Sequence, residues 1–339
     1  MTLPSKMSAL IQCHDGYASG GDRDMPKDLT GLVELAEVPL PEVGSGQALV
    51  KVARAAVNPS DLMFVAGLYG QPRVKGAPAG FEGVGEVVAG DTPLLGQRVS
   101  FFGSGSGTWA EYALTDAKQM IPLRPDLKDE DAAGLIVNPM TAMAMFGIAR
   151  EDGAESFLFT AGGSQLGKFM IGLGKDHGLA PIPVVRRAEQ VEDLRALGAA
   201  EVLVTSQDDF KEKAAEVIKA RGPRVLLDAV ADQISADLFF AMPKGARWIT
   251  YGRLATKPPV LREMGQFIFM DKRIEGFWLS QWMREAGVEK LGKAVTDVQA
   301  RFATGAWSTD ISATLPLNEA LEKSAQALAV KDAKLLIAP

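Results

Sequence analysis

Residues Phe157 to Gly167 read FLFTAGGSQLG, and Pro181 to Arg187 read PIPVVRR. A short apolar run, a glycine turn, an apolar helix and a second apolar run make one βαβ unit, and the chemistry such a unit serves is phosphate binding. Gly162 and Gly163 let the backbone turn sharply and approach a pyrophosphate with no Cβ in the way. Gly167 lets helix and strand pack closely. The helix carries Leu166, Phe169, Met170 and Leu173 on one face and is expected to stop at His177-Gly178. Its free N-terminal amides and dipole point at the turn where two phosphates would lie. Ser164 takes the central glycine position of the usual fingerprint, with Gln165 beside it. The second strand, Ile182 to Val185, runs into Arg186 and Arg187, where an NAD-specific unit places an acidic residue on the ribose 2′-hydroxyl. Two cations there suit a 2′-phosphate, so the expected cofactor is NADP(H). The competing reading is an ordinary strand-to-helix turn with a solvated arginine pair.

The elements that must position this turn alternate between strand and helix from about residue 130. Val191, Leu194 and Leu197 mark a helix stopped by Gly198, Val202 to Val204 a strand, and Phe210, Ala214, Val217 and Ile218 a helix broken at Gly222-Pro223. Val225 to Leu227 lead as a strand into Asp228, and Ile234, Leu238 and Met242 mark another helix. Trp248 to Tyr251 and Ile274 to Leu279 supply two more strands. Parallel strands require crossovers and these helices supply them, so a doubly wound parallel sheet of six strands is expected, with ligands beyond the strands' carboxyl ends.

Residues 1 to about 128 read as β-rich, with ALVKVARAAV, VGEVVAG and QRVSFF separated by Gly- and Pro-containing turns. In the tail, Val288 to Phe302 forms an amphipathic helix, and Lys334 to Ile337 a closing strand assigned back to the first domain. The expected division is therefore a β-rich domain over 1–128, completed by 282–339, and a nucleotide domain over 129–281.

The 339-residue chain is 47% hydrophobic, ample for two cores, and its net charge of −6 argues against a nucleic-acid partner. Cys13 is the only cysteine, and His14 and His177 are the only histidines. Neither an intramolecular disulfide nor a cysteine zinc cage is available, so a metal-free protein of a reducing compartment is expected. MTLPSKMSAL carries no long apolar core and no cleavage-like site, which makes the cytoplasm the expected location. Residues 132–149 approach the length of a membrane span. Asn138-Pro139 in their middle and charged flanks predict instead a buried pair of helical segments with a break, and no membrane partner.

The order of parts resembles the medium-chain dehydrogenase/reductase superfamily. Asn58-Pro59-Ser60-Asp61, Gly67-Leu68-Tyr69-Gly70 and Gly80-Phe81-Glu82-Gly83-Val84 resemble its zinc-free quinone oxidoreductase and trans-2-enoyl thioester reductase branches. Val137-Asn138-Pro139-Met140-Thr141-Ala142, Thr250-Tyr251-Gly252 and Gly276-Phe277-Trp278-Leu279-Ser280-Gln281-Trp282 are similar to the mitochondrial-type enoyl thioester reductases. The resemblance covers nearly the full length. It implies an α/β protein: a GroES-like β-rich catalytic domain plus a Rossmann doubly wound parallel six-stranded sheet. Zinc alcohol dehydrogenases of the superfamily place a cysteine and a histidine where this chain has Asn58 and Phe81, so polarisation of a carbonyl by zinc is not expected.

The chemistry the resemblance implies is hydride delivery from NADPH to the β carbon of an enone or 2-enoyl thioester, with protonation at the α carbon. Quinone reduction is the alternative, and a non-catalytic NADPH-binding protein a second one. By the resemblance, Tyr69 stands near the substrate carbonyl. A phenol with a pKa near 10 stays protonated at neutral pH and can donate to a developing enolate oxygen, whereas a tyrosine beside glycines is also a common turn residue. Asn58 is a second catalytic candidate or the start of an Asn-Pro turn. Thr141 is a candidate nicotinamide-side contact or a helix-start threonine. Tyr251, Gly252 and Leu254 follow a strand at its carboxyl end, where cofactor contacts are expected. Phe277, Trp278 and Leu279 wall the nicotinamide, form an edge strand at a dimer interface, or fill core. Lys334 is a further cofactor contact, and a homodimer is what the family implies.

Overall fold

The apolar runs of the first hundred or so residues become strands in the computed structural model, which describes residues 3–19, 24–103 and 106–339. In chain order the first elements are β1 (Lys6–Gln12), β2 (Val33–Pro39), β3 (Gln47–Val57), α1 (Pro59–Val65), β4 (Glu82–Gly90), β5 (Arg98–Phe102), β6 (Tyr112–Asp116) and β7 (Ile121–Pro122). Then follow α2 (Asp129–Ala132), α3 (Val137–Glu151), β8 (Ser156–Phe159), α4 (Gln165–His177), β9 (Ala180–Val185), α5 (Val191–Leu197), β10 (Leu203–Val204) and α6 (Phe210–Arg221). The chain continues through β11 (Val225–Asp228), α7 (Gln233–Ala241), β12 (Arg247–Thr250), α8 (Gly265–Phe269), β13 (Arg273–Gly276) and α9 (Leu279–Glu285). It closes with α10 (Gly287–Ala303), β14 (Ile311–Pro316), α11 (Leu317–Ala329) and β15 (Lys334–Ala338).

Two compact units result. The first takes the described residues of 1–21 together with 25–137 and 295–339, and the second takes Asp24 with 138–294. In the first unit β3 is the organising strand, in the order β14-β15-β3-β4-β5-β7 with β6 also on β3. Its buried face joins Val50, Val87, Phe101, Trp109, Leu335 and Ile337 in one core. Trp109 is fully buried and its indole N–H donates to the Ala56 carbonyl at 3.0 Å, so the ring brings no unmet polar atom into the core. β15 runs antiparallel to β3 with Leu335 opposite Val57, and this register brings Lys334 alongside Asn58. Residues 129–137 lie in the first unit because Ala132 and Ala133 pack with Ala56, Val84 and Leu336, so the boundary falls after Val137 and not at 128. The second boundary, at 294/295, falls inside α10 and not at 281.

The second unit is a parallel sheet in the order β10-β9-β8-β11-β12-β13. Sequence order reverses between β8 and β11, and the carboxyl ends of those two strands are where such sheets hold ligands. Two expectations about elements require correction. Asn138-Pro139 does not break a helix: α3 runs through both, because a proline in the first turn gives up an N–H that has no intrahelical partner. The break lies at residues 133–136. The sixth strand ends at Gly276, and Leu279 opens α9, so Phe277 and Trp278 lie between strand and helix. Among the described residues no helix is long and apolar enough to cross a membrane.

The glycine turn is sterically closed. A Cβ at Gly167 would overlap the Gly162 carbonyl, and one at Gly162 would overlap Pro183 of β9. Gly167→Ala is therefore expected to destabilise the protein by about 1–3 kcal/mol, since backbone must move to admit the methyl. Gly163→Ala meets only the mobile end of Gln190 and is expected to cost less. Urea denaturation of both variants checks the ranking.

Candidate active site

In the second unit the fingerprint's serine has a structural task. Ser164 is the N-cap of α4, its Oγ accepting from the Gly167 amide at 3.1 Å, which satisfies one of the helix's unpaired donors. Gly178 closes the helix in the left-handed region at φ 69°, as the His177-Gly178 stop requires. Gln165 and Leu166 open the helix and are buried. Gly162 N donates to the Val184 carbonyl at 3.1 Å, and the space a side chain at Gly163 would take is filled by the Gln190 amide. The turn is thus tied to the end of β9, where Arg186 is exposed and Arg187 is half-buried, 3.7 Å from Glu189. This cradle, open only to backbone, with two guanidinium-bearing residues at the end of the neighbouring strand, fits a dinucleotide with a phosphorylated ribose.

The other residues expected on this side divide by element. Thr141 is buried in α3, in its second turn and not at its start. Tyr251, Gly252 and Leu254 follow β12, and their segment is laid along the end of β11: Tyr251 N donates to the Asp228 carbonyl at 2.9 Å and Leu254 N to that of Ala229 at 3.0 Å. Gly252 is needed there, because a Cβ would come within 2.8 Å of the Ala229 carbonyl. Phe277 N donates to the Thr250 carbonyl at 2.8 Å, Arg284 lies 5.5 Å over the exposed Trp278 ring, and Leu279 is half-buried.

In the first unit Asn58 belongs to a buried network of charge. Its Nδ2 donates to Glu82 Oε1 at 2.8 Å, and its Oδ1 accepts from the Lys334 ammonium. Glu82 Oε2 also accepts from the Ile136 and Val137 amides, both at 2.9 Å. Asp61 caps from below: Oδ2 takes the Asn58 amide at 2.8 Å and Oδ1 the Phe81 amide at 2.7 Å. All four side chains are buried. Gly134 leaves room for the lysine stem, whose Cε lies 3.2 Å from where a Cβ would be. Lys334 is thus engaged with Asn58 within its own unit. Burial pushes the Asp61 carboxyl up to about 7 against the pull of its backbone donors. Burial likewise raises Glu82, with Lys334 opposing, and lowers Lys334, with Glu82 and Asp61 opposing.

Sequence reasoning found Asn58 and Lys334 separately and did not join them. It also missed Glu82 and Asp61 as working residues, although a glutamate within the apolar strand segment EGVGEVV was a visible signal that a buried carboxylate needed partners. Tyr69 stands beside this network, half-buried. Its ring centroid is 5.1 Å from that of Phe81, the residue whose amide Asp61 holds, and 6.5 Å edge-on from Phe64. Packing against Phe81 and Phe64 fixes the ring plane.

Residues 44–125 match the alcohol dehydrogenase GroES-like domain, and residues 166–294 match the zinc-binding dehydrogenase family. The mitochondrial enoyl-[acyl-carrier-protein] reductase of Bos taurus is 30% identical over 336 residues, which cover 95% of this chain and 87% of that protein. The chain belongs to the medium-chain dehydrogenase/reductase superfamily. A candidate NADPH:quinone reductase from Mesorhizobium loti is 47% identical, superposes with a TM-score of 0.94 and is covered in full, as is this chain. The mitochondrial 2-enoyl thioester reductase Etr1p/Etr2p heterodimer from Candida tropicalis shares the fold, with a TM-score of 0.77 at 22% identity over 99% of this chain and 100% of that one. Among the described residues no group of three or more His, Cys, Asp or Glu could hold a metal ion.

Two outcomes are expected. Lys334→Met leaves Glu82 buried without its cation and is expected to destabilise by about 3 kcal/mol, partly restored by adding Glu82→Gln, as read from urea denaturation. Asp61 gives a pH signature. An acid raised on folding binds its proton more tightly in the folded state, so its contribution is present below pH about 4 and is lost as pH rises toward about 7. Relative to Asp61→Asn, the wild-type protein is expected to lose stability across that window, by at most about 1.4 kcal/mol per pH unit.

Proposed function

We propose that the chain is a zinc-independent, NADPH-dependent reductase of α,β-unsaturated carbonyl compounds, with an enone or a 2-enoyl thioester as substrate. Kinship over nearly the whole chain with an enoyl reductase carries the reaction class. The arginine pair at the end of β9 supports NADPH over NADH. When bound, the nicotinamide supplies the hydride, which goes to the β carbon.

The chain's own residues supply the rest. Gly162, Gly163 and the N-terminal amides of α4 hold the pyrophosphate, with Ser164, Gln165 and Leu166 shaping the helix start. Arg186 and Arg187 take the 2′-phosphate. Within the second unit Thr141, Tyr251, Gly252, Leu254, Phe277, Trp278 and Leu279 complete the cofactor contacts. Tyr69, its ring fixed on Phe81, donates through its hydroxyl to the enolate oxygen or passes a proton to the α carbon. Asn58 is held at both ends of its amide, by Glu82 and Lys334, and so presents one fixed orientation. In this reading the Lys334 ammonium supplies fixed positive charge where a zinc enzyme of the superfamily has a metal.

A second reading, quinone reduction, is favoured by the 47% identity to the candidate quinone reductase. It requires a flat apolar pocket and no proton donor at carbon. The working unit in either reading is a homodimer joined through the second unit's sheet. β13 is an edge strand, and Ile274 on it and Ile268 and Phe269 just before it are 39, 75 and 77% exposed, which supports cover by a second copy.

NADPH oxidation with a short 2-enoyl-CoA and with a quinone decides between the readings. Thioester turnover that falls about 100-fold or more in Tyr69→Phe supports the first. Quinone turnover alone, untouched by that substitution, moves the assignment to the second. Arg186→Ala/Arg187→Ala is expected to lower kcat/KM for NADPH by about 10- to 100-fold and leave that for NADH nearly unchanged.

A further inference from the structure

Asp228 ends β11 and is fully buried, yet its carboxylate gathers five donors from three stretches of chain. Oδ1 accepts from Thr160 Oγ1 at 2.5 Å, Ser235 Oγ at 3.0 Å and Val230 N at 3.0 Å. Oδ2 accepts from Trp248 Nε1 at 2.8 Å and Ala231 N at 3.0 Å. Thr160 follows β8, Val230 and Ala231 follow β11, Ser235 lies in the first turn of α7, and Trp248 lies in β12. The Thr160 hydroxyl is itself held from behind by the Ala229 amide at 2.9 Å. The bond from Thr160 to Asp228 therefore spans the switch point of the sheet, between the two strands where the order reverses.

Two further observations show that what is held is a shape and not merely a core. Ala161 and Ala231 both adopt left-handed backbone, at φ 52° and 59°, a conformation that costs an alanine energy and persists only where its surroundings impose it. One precedes Gly162 by a single residue, and the other donates its amide to Asp228. The backbone so shaped is also the template for the next segment: Tyr251, Leu254 and Ala255 donate to the carbonyls of Asp228, Ala229 and Val230 at 2.9, 3.0 and 2.9 Å.

We infer that Asp228 is a positioning residue for the nucleotide: it fixes the turns after β8 and β11, and through them the segment after β12, in the arrangement that receives the cofactor. It acts through Thr160 and Ala231. The inference rests on the reading of the second unit as a binder of NADPH.

The test is NADPH affinity by fluorescence titration, alongside thermal unfolding, for Asp228→Asn, Thr160→Val and the core variant Phe239→Leu. Asn keeps one acceptor and turns its NH2 toward Trp248 Nε1 and the Ala231 amide, both donors, while Thr160→Val removes only the strap across the switch point. Asp228→Asn is expected to raise the NADPH Kd about tenfold or more, and Thr160→Val to raise it severalfold. Phe239→Leu, in the core of the same unit, is expected to lower Tm with Kd unchanged. If the first two variants also lose only Tm and keep Kd within about twofold, Asp228 is structural and the inference fails. Wild-type binding of NADPH is measured first and needs no substrate. A protein that binds NADH instead carries the same comparison with that nucleotide, and one that binds neither overturns the reading of the unit and this inference together.

Discussion

A carboxylate taken out of water must be met by donors, and in each unit of this protein one such carboxylate gathers segments distant in sequence. Glu82 draws Asn58, Ile136 and Val137 to one point, and Asn58 extends the network to Lys334. Asp228 does the same for residues from 160 to 248. Apolar burial supplies most of the driving force for both cores, but it is non-directional and tolerates sliding. The buried carboxylates do not tolerate it, because each requires its own donors at about 3 Å.

The two networks differ in charge balance, and their chemistry differs accordingly. Asp228 is met by neutral donors alone, a hydroxyl pair, two amides and an indole, which suits a task of holding backbone in place. In the first unit two carboxylates face one ammonium through an amide. The lysine is delivered by the last strand and is held there by the Asn58 side-chain oxygen.

Legibility in the sequence followed the range of the interaction. The glycine turn, the helix after it, its Gly178 stop and the alternating strands and helices of the second unit could be read because each depends on neighbours within a few residues. Pro139 was misread because a proline's effect depends on whether it falls in a helix's first turn or its interior, and the start of α3 is set by Glu82, more than fifty residues away, through the Ile136 and Val137 amides. Phe277 to Leu279 looked like strand by composition. The ladder with β12 ends at Gly276, so the aromatic pair passes into a helix start instead.

By itself the sequence determined the two-part organisation, the parallel six-stranded sheet, the dinucleotide turn and the superfamily, since periodicity, glycine spacing and ordered motifs are properties of the chain as written. Only the tertiary structure decided what Asn58 and Lys334 do together, that Glu82 and Asp61 stand with them, and that Asp228 ties the ends of three strands. Those pairings join residues up to 276 positions apart. They exist only once a strand register such as Leu335 against Val57 has set them side by side, and no local pattern encodes that register.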